Sequence, residues 1–278
     1  MSANPTARSA GIDYYDGPEI ADVIFDALKQ AGVDVEPLDI DELAALDEFH
    51  ALGRPATIAM AELCGVPPDS RVLDLGAGIG GPARLLAQRY RARVSAVDAT
   101  ARFCRAGERL CQATGLSERV EVVHADALQL PFASESFDIA WSQALVQSVP
   151  DKPALLAEAR RVLVSGGRLA LFEVVGGPGG PVRLPVPWAS DPSESFLVSG
   201  EELRGIAEEA GFQPVAWRQG TEVLAAVTAA ASDLPAPGPD RGIGLALLMP
   251  DFEQRMVGVA ENLAEGRIEL VAGVFVAR

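Results

Sequence analysis

The chain has 278 residues, 49% of them hydrophobic and 22% charged, which is ordinary globular composition and enough length for one large α/β domain carrying insertions. Its formal net charge of −16 argues against a nucleic-acid partner, whose affinity rests on clustered Lys and Arg; the basic residues here are almost all arginines, scattered along the chain. The charge reads as solubility, and a small molecule as the partner.

No apolar run approaches the roughly 18 residues needed to cross a bilayer, and the start MSANPTARSAG has no apolar signal core. These features predict a soluble, cytoplasmic protein without a membrane partner, monomeric or weakly dimeric. Cys64, Cys104 and Cys111 show no CxxC spacing and read as buried free thiols, the last two on one face of a helix. His50 and His124 stand outside any ligand cluster, so no metal site is expected.

In chain order, the first ten residues are small, polar and interrupted by proline, and disorder is expected there. Gly17-Pro18 opens a helical pattern through about Lys29, with Ile20, Val23, Ile24, Ala27 and Leu28 on one stripe. Asp39 to Cys64 reads as one or two further helices, so this part is expected to be wholly helical. After Pro67-Pro68-Asp69, strand signals at 71–75, 93–97, 120–123, 137–141 and 168–174 alternate with helical ones at about 81–90, 100–114 and 151–164. That alternation predicts right-handed βαβ units in a parallel sheet, and strands apolar on both faces imply helices on both sides.

Beyond Glu173 the run Gly176 to Pro181 breaks the pattern, and the Pro-rich, aromatic stretch through Phe196 reads as a loop covering a site. A helix over 199–210, a strand over 214–219, helices over 222–232 and 243–265 around the linker Leu234 to Gly244, and a last strand from Arg267 to Val276 complete the chain. The expected division is an N-terminal helical cap (1–66), a Rossmann-like core (67–220), a helical cap insertion (221–266) and the final core strand (267–278).

The first strand ends in the acidic glycine turn Asp74-Leu75-Gly76-Ala77-Gly78-Ile79-Gly80. Open parallel sheets bind ligands beyond the carboxyl ends of their strands where strand order reverses, and this turn is that place. Its glycines let the backbone approach a ligand, and the helix after it presents unpaired N–H groups. Gly76, Gly78 and Gly81 also satisfy the dinucleotide fingerprint GxGxxG. Charge separates the two readings: an acid at Asp74 suits the sulfonium and ammonium of S-adenosylmethionine (SAM) and would repel a pyrophosphate. Asp98, with Ala99 beside it, ends the second strand where ribose hydroxyls would sit, and Asp126, Ala127 and Leu128 follow the third where an adenine would. The alternative for these acids is a loop-capping role.

With these residues in view, the sequence resembles the ubiquinone/menaquinone-methyltransferase-like branch of the class I SAM-dependent methyltransferases. VLDLGAGIGG, VDAT, HADALQLPFASESFDIAWS, EARRVLVSGGRLALFE and EEAGF follow in order over roughly residues 70–220. Tyr14-Tyr15-Asp16-Gly17, Leu46-Asp47-Glu48-Phe49-His50 with Gly53-Arg54, and Pro187-Trp188 are similar to the sarcosine/dimethylglycine N-methyltransferases and natural-product-tailoring relatives. The resemblance implies an α/β, Rossmann-like, seven-stranded sheet with its last strand antiparallel, plus a helical cap. It implies SAM in the cleft above Gly76, Tyr14 or Tyr15 closing over it, and Ser142 and Gln143 holding its methionine end.

Methyl transfer needs alignment foremost, and a base only if the acceptor loses a proton. Catalytic candidates are Glu173, at the end of the fifth strand; His50, placed on a helix; Gln143; and Trp188, with Trp141 and Ser142 nearby. For Glu173 the alternative is a capping carboxylate, for His50 a structural hydrogen bond, for Trp188 a core or lid position; His124 reads as structural. Where amine-methylating relatives carry a histidine and further polar residues, this chain has Ala144-Leu145-Val146-Gln147-Ser148. That apolar wall favours a largely apolar natural product over a zwitterionic amino acid. The competing readings are a cyclase that keeps SAM or S-adenosylhomocysteine as a structural ligand, an amine N-methyltransferase, and a SAM-sensing binding protein.

Overall fold

The computed structural model describes residues 18–232, 234, 242–249 and 251–278. The apolar runs pair into one sheet of seven strands: β1 (Arg71–Leu75), β2 (Arg93–Asp98), β3 (Val120–His124), β4 (Phe137–Gln143), β5 (Leu163–Gly176), β6 (Phe212–Gln219) and β7 (Ile268–Ala277). Their order is β3-β2-β1-β4-β5-β7-β6. Strands β1 to β5 pair in parallel, and β7 lies antiparallel between β5 and β6. This is the α/β sheet with an antiparallel last strand that the family resemblance implied. Strand order reverses between β1 and β4, so the Asp74 turn stands at the switch point.

Eight helices accompany the sheet among the described residues: α1 (Ile20–Gln30), α2 (Gly53–Cys64), α3 (Gly81–Tyr90), α4 (Ala101–Ala113), α5 (Lys152–Val162), α6 (Gly200–Glu209), α7 (Thr221–Ser232) and α8 (Phe252–Ala264). Alternation along the strands sorts the core into two layers. Val72, Trp141 and Phe172 pack with α2, α3 and α7, whereas Leu73, Ala140 and Leu171 pack with α5 and α6.

Two expectations are corrected. The stretch 39–64 is not wholly helical: a 3-10 turn at Ile40–Leu43 and α2 enclose turns at 44–52. Leu52 and Gly53 adopt left-handed φ of 68° and 56°, which ends any helix there. The pattern over 243–265 likewise divides into a 3-10 turn at Leu245–Leu247 and α8; the sequence carries a proline at 250, and a proline inside a helix removes a backbone donor. The disorder expected over the first ten residues and most of the linker between Leu234 and Gly244 lie outside the described residues.

The turns at 44–52 are fixed to the core by a buried ion pair. Arg84 of α3 donates to Asp47 Oδ2 at 2.8 Å, with both side chains fully buried. A β-carbon on Gly81 would lie 2.1 Å from the Asp47 carbonyl oxygen, so the segment packs flush on the start of α3 only because residue 81 has no side chain. On the other face of the sheet Glu173, also fully buried, holds the chain after β4. It accepts from Ser142 Oγ at 2.5 Å and from the Leu145 and Val146 amides at 2.9 and 3.0 Å.

Replacing Arg84 by Met should cost about 3–5 kcal/mol in urea unfolding, because Asp47 stays buried without its closest cation; adding Asp47→Leu should recover part of that loss. Burial raises the Glu173 carboxyl to about 7, against the lowering effect of its hydrogen bonds. The folded state therefore retains a proton that the unfolded chain releases, and this group's contribution to stability is lost as pH rises from about 4.5 through about 7. Between pH near 4.5 and pH near 8 the wild type should lose up to about 3 kcal/mol more than Glu173→Gln, read from urea unfolding at both values.

Candidate active site

Above the carboxyl ends of β1, β2 and β4 lies a cavity of about 1540 Å³ bounded by the described residues. Single small-ligand sites run roughly 300–1,000 Å³, so this volume has room for a cofactor and an acceptor side by side.

One end is built from the glycine turn. Gly76 has φ +69°, and a β-carbon there would come within 2.8 Å of Leu145 Cδ1, so the turn after β1 touches the turn after β4 directly. The Ala77 amide donates to the Val97 carbonyl at 2.9 Å and the Gly78 amide to Asp98 Oδ2 at 2.9 Å, which ties the turn to β2. Asp98 Oδ1 also accepts the Thr100 amide at 2.8 Å. Asp98 thus does cap its loop while lining the cavity.

Asp74 is 1% exposed, and its Oδ2 has no hydrogen-bond partner among the described residues. Burial, then the charges of Asp98 and Glu48, push its carboxyl well above the usual range. A buried carboxyl with a free oxygen beside two further acids is a place for a cationic ligand, and the sulfonium and ammonium of SAM meet that requirement where a pyrophosphate does not. Ala99, Asp126, Ala127 and Leu128 continue the lining. Asp126 is exposed and accepts the Leu128 amide at 2.9 Å, which shapes the turn after β3. His124 also borders the cavity, its Nε2 3.0 Å from the Ala99 carbonyl. Gly80 does not line the cavity; it faces the Arg84 guanidinium. Tyr14 and Tyr15 lie outside the described residues.

The middle of the cavity is a polar network. His50 lies in the bend before α2 rather than on a helix, its side chain 3% exposed. Its Nε2 is 2.7 Å from Glu48 Oε2 and 3.0 Å from Thr57 Oγ1, while Nδ1 is 3.2 Å from the Ala51 carbonyl. Thr57 donates to Glu48 Oε2 at 2.8 Å, and Gln143 accepts from the Trp141 indole at 2.7 Å. Gln143 Nε2 lies 3.3 Å from the His50 ring. Behind them Arg54 sits 3.5 Å from Glu48, 3.7 Å from Asp47 and 2.7 Å from Asp41. Burial raises Asp47 to about 6 even beside Arg84, whereas at Glu48 the upward push of burial is outweighed by hydrogen bonds and charge from His50 and Arg54, which bring it below its ordinary value.

Strand parity decides which candidates reach the cavity. Gln143 and Val174 line it, whereas Ser142 and Glu173 point to the opposite face of the sheet and bond to each other. Glu173 therefore supports the turn at 144–148 instead of touching the cavity, and Ser142 shares that position. Trp141 is fully buried in the core. His50, Gln143 and Trp188 all line the cavity.

The other end is apolar. Phe252, Met256, Val259 and Leu263 project from one stripe of α8, opposite Trp188, Phe196 and Leu270. The adjoining flank of α8 is pinned to the loop at 177–199. Arg255 donates to the Val186 carbonyl at 2.6 Å, and Asn262 exchanges hydrogen bonds of 2.8 Å with the backbone of Arg183. The Trp188 indole donates to Ser195 Oγ at 3.0 Å. Buried Lys152 donates to the Val149 carbonyl at 2.9 Å and also to the carbonyl of Phe196. Glu48, Thr57, Gln147 and the α8 stripe were not singled out by residue type. The helical pattern over 243–265 does not report which cavity its apolar residues face.

Residues 73–171 match the family described as methyltransferase domain. The methyltransferase GfsG of Streptomyces halstedii is 33% identical over 61% of this chain and 59% of its own length. Other curated methyltransferases are likewise matched over less than two thirds of their length. The dimethylglycine N-methyltransferase of Parasynechococcus marenigrum is 30% identical over 78% of this chain and 77% of its own. Among solved structures, the [4+2]-cyclase SpnF superimposes with a TM-score of 0.62 at 20% identity, covering 93% of each chain. With the glycine turn at the switch point, an Asp74 oxygen left without a partner among the described residues and this extended sequence match, the chain belongs to the S-adenosyl-L-methionine-dependent methyltransferases.

Proposed function

We propose that this chain methylates a small, uncharged, largely apolar natural product. The observation that carries the reading is the cavity lining. Asp47, Glu48, Asp74, Asp98 and Asp126 border it, and among the described residues no Lys or Arg does. A carboxylate or phosphate on the acceptor would be buried without a cation, at a cost of several kcal/mol. That disfavours sarcosine, dimethylglycine and diphosphate esters as acceptors, and the α8 stripe supports an apolar body in their place.

When bound, SAM supplies a methyl group on a positively charged sulfur. The chain's own contribution is placement and dryness. The Gly76 to Gly78 turn and Asp98 hold one side of the cavity, Asp74 offers its free oxygen to positive charge, and α8 with Trp188 keeps water from the apolar end. A second reading, ring closure with the cofactor as a structural ligand, is favoured by one observation: both His50 ring nitrogens already face acceptors, and Glu173 is turned away. Ring closure of a bound chain needs no side-chain base.

Asp98→Ala should weaken SAM binding about tenfold or more by calorimetry, the worth of hydrogen bonds to a charged group; unchanged binding would place the cofactor elsewhere. Mass spectrometry of reactions with neutral hydrophobic hydroxy compounds, sarcosine and dimethylglycine should show a one-methylene gain on a neutral acceptor only. A gain on the amino acids would overturn the acceptor class, and a product isomeric with its substrate would favour ring closure.

A further inference from the structure

Buried polar atoms without partners are scarce in folded proteins, and each one needs a physical reason. Gln147, a residue of the cavity wall, carries such an atom. Its side chain is 2% exposed, it lines the cavity, and its Oε1 has no hydrogen-bond partner among the described residues. The other end of the amide fixes which atom is free: Nε2 donates to the Ala144 carbonyl at 2.6 Å. A flipped amide would set oxygen against oxygen.

The atom is also held in place. The Ala144 amide donates to the Phe172 carbonyl at 2.9 Å, and Glu173 accepts the amides of Leu145 and Val146 just before Gln147. The backbone carbonyl of Gln147 accepts from the Phe196 amide at 2.8 Å, which joins this turn to the loop at 177–199. A hydrogen-bond acceptor fixed on a braced turn, between the cofactor end and the apolar end, has its orientation set before any ligand arrives.

We propose that Gln147 determines acceptor specificity: its Oε1 accepts a hydrogen bond from one O–H or N–H donor on an otherwise apolar molecule. Molecules of the same shape without that donor leave the oxygen buried and unpaired, and are rejected. A neutral amide oxygen does this without the charge that a carboxylate would add to an already acidic cavity. The inference rests on the apolar-acceptor reading above.

The test uses the full chain loaded with S-adenosylhomocysteine and two shape-matched fluorescent probes, 2-naphthol and 2-methylnaphthalene. Their dissociation constants are measured for the wild type and for Gln147→Met, the closest apolar match in length, with Gln147→Leu as a second variant and melting curves to confirm folding. The ratio of the two constants should shift about tenfold toward the hydrocarbon when the amide is removed, the change expected for one neutral hydrogen bond in a buried site. An unchanged ratio in a folded variant overturns the role of Gln147 and leaves the acceptor class standing. Failure of 2-naphthol to bind the wild type overturns the apolar-acceptor reading and this inference with it, whereas 2-methylnaphthalene binding the wild type as tightly as 2-naphthol overturns the role of Gln147 alone.

Discussion

Asp47 and Arg84 meet at 2.8 Å with no solvent access to either side chain, and the placement of the whole cavity floor follows from that contact. Such a pair gains little net stability, because the desolvation of two ions rivals their attraction. Its effect is geometric. With the Asp47 carbonyl pressed where Gly81 would carry a β-carbon, the chain at 44–52 can lie in only one register on α3. Glu48, Phe49 and His50 follow directly. The Phe49 ring then lies 3.2 Å from where a β-carbon on Gly78 would be, and Glu48 meets Thr57 and His50. Arg54 closes the cluster from the far side, so two buried carboxylates face two guanidinium groups and the floor carries little net charge of its own.

The same neutralisation is missing at the cofactor end. Asp74, Asp98 and Asp126 have no Lys or Arg among their described neighbours in the cavity wall. The proposed acceptor class rests on this difference: a cationic cofactor supplies there the positive charge that the wall lacks, and an anionic acceptor would not. Glu173 shows how little displacement separates a carboxylate in this wall from one outside it. Val174, the next residue, lines the cavity, whereas Glu173 faces the opposite side of the sheet and braces the turn that carries Gln147.

Much of this was legible in the sequence. The alternation of short apolar runs with helical stripes, and an acid two residues before a glycine-rich turn, located the sheet, its switch point and the charge preference of the ligand. Glu173 was not legible, because a carboxylate near a strand end reads the same whichever face it takes, and parity is fixed only by pairing: Ser142 aligns with Leu171 and Gln143 with Phe172. His50 reads as helical because it lies within the helical pattern from Asp39 to Cys64. The left-handed residues at 52 and 53 that end the turn carry no compositional mark beyond one glycine. The Glu48–His50–Thr57–Gln143 network joins residues up to 93 positions apart, and no local pattern reports such contacts.

Helix α8 departs from the usual arrangement of an amphipathic helix at two polar positions. Glu253, Gln254 and Glu261 face solvent, but Arg255 and Asn262 are buried, at 4% and 0% exposure, where they hold the loop at 177–199, while Met256 and Leu263 on the cavity stripe are 38% and 42% exposed. A helix gains no stability from showing that stripe to water, so the sequence is not explained by folding alone. Polar anchoring along the flank of the helix keeps the wall from collapsing into the cavity to bury its own side chains. The apolar surface left standing is stabilised only when a molecule of matching character covers it, and this links the rigidity of the loop, through Arg255 and Asn262, to the proposed choice of acceptor.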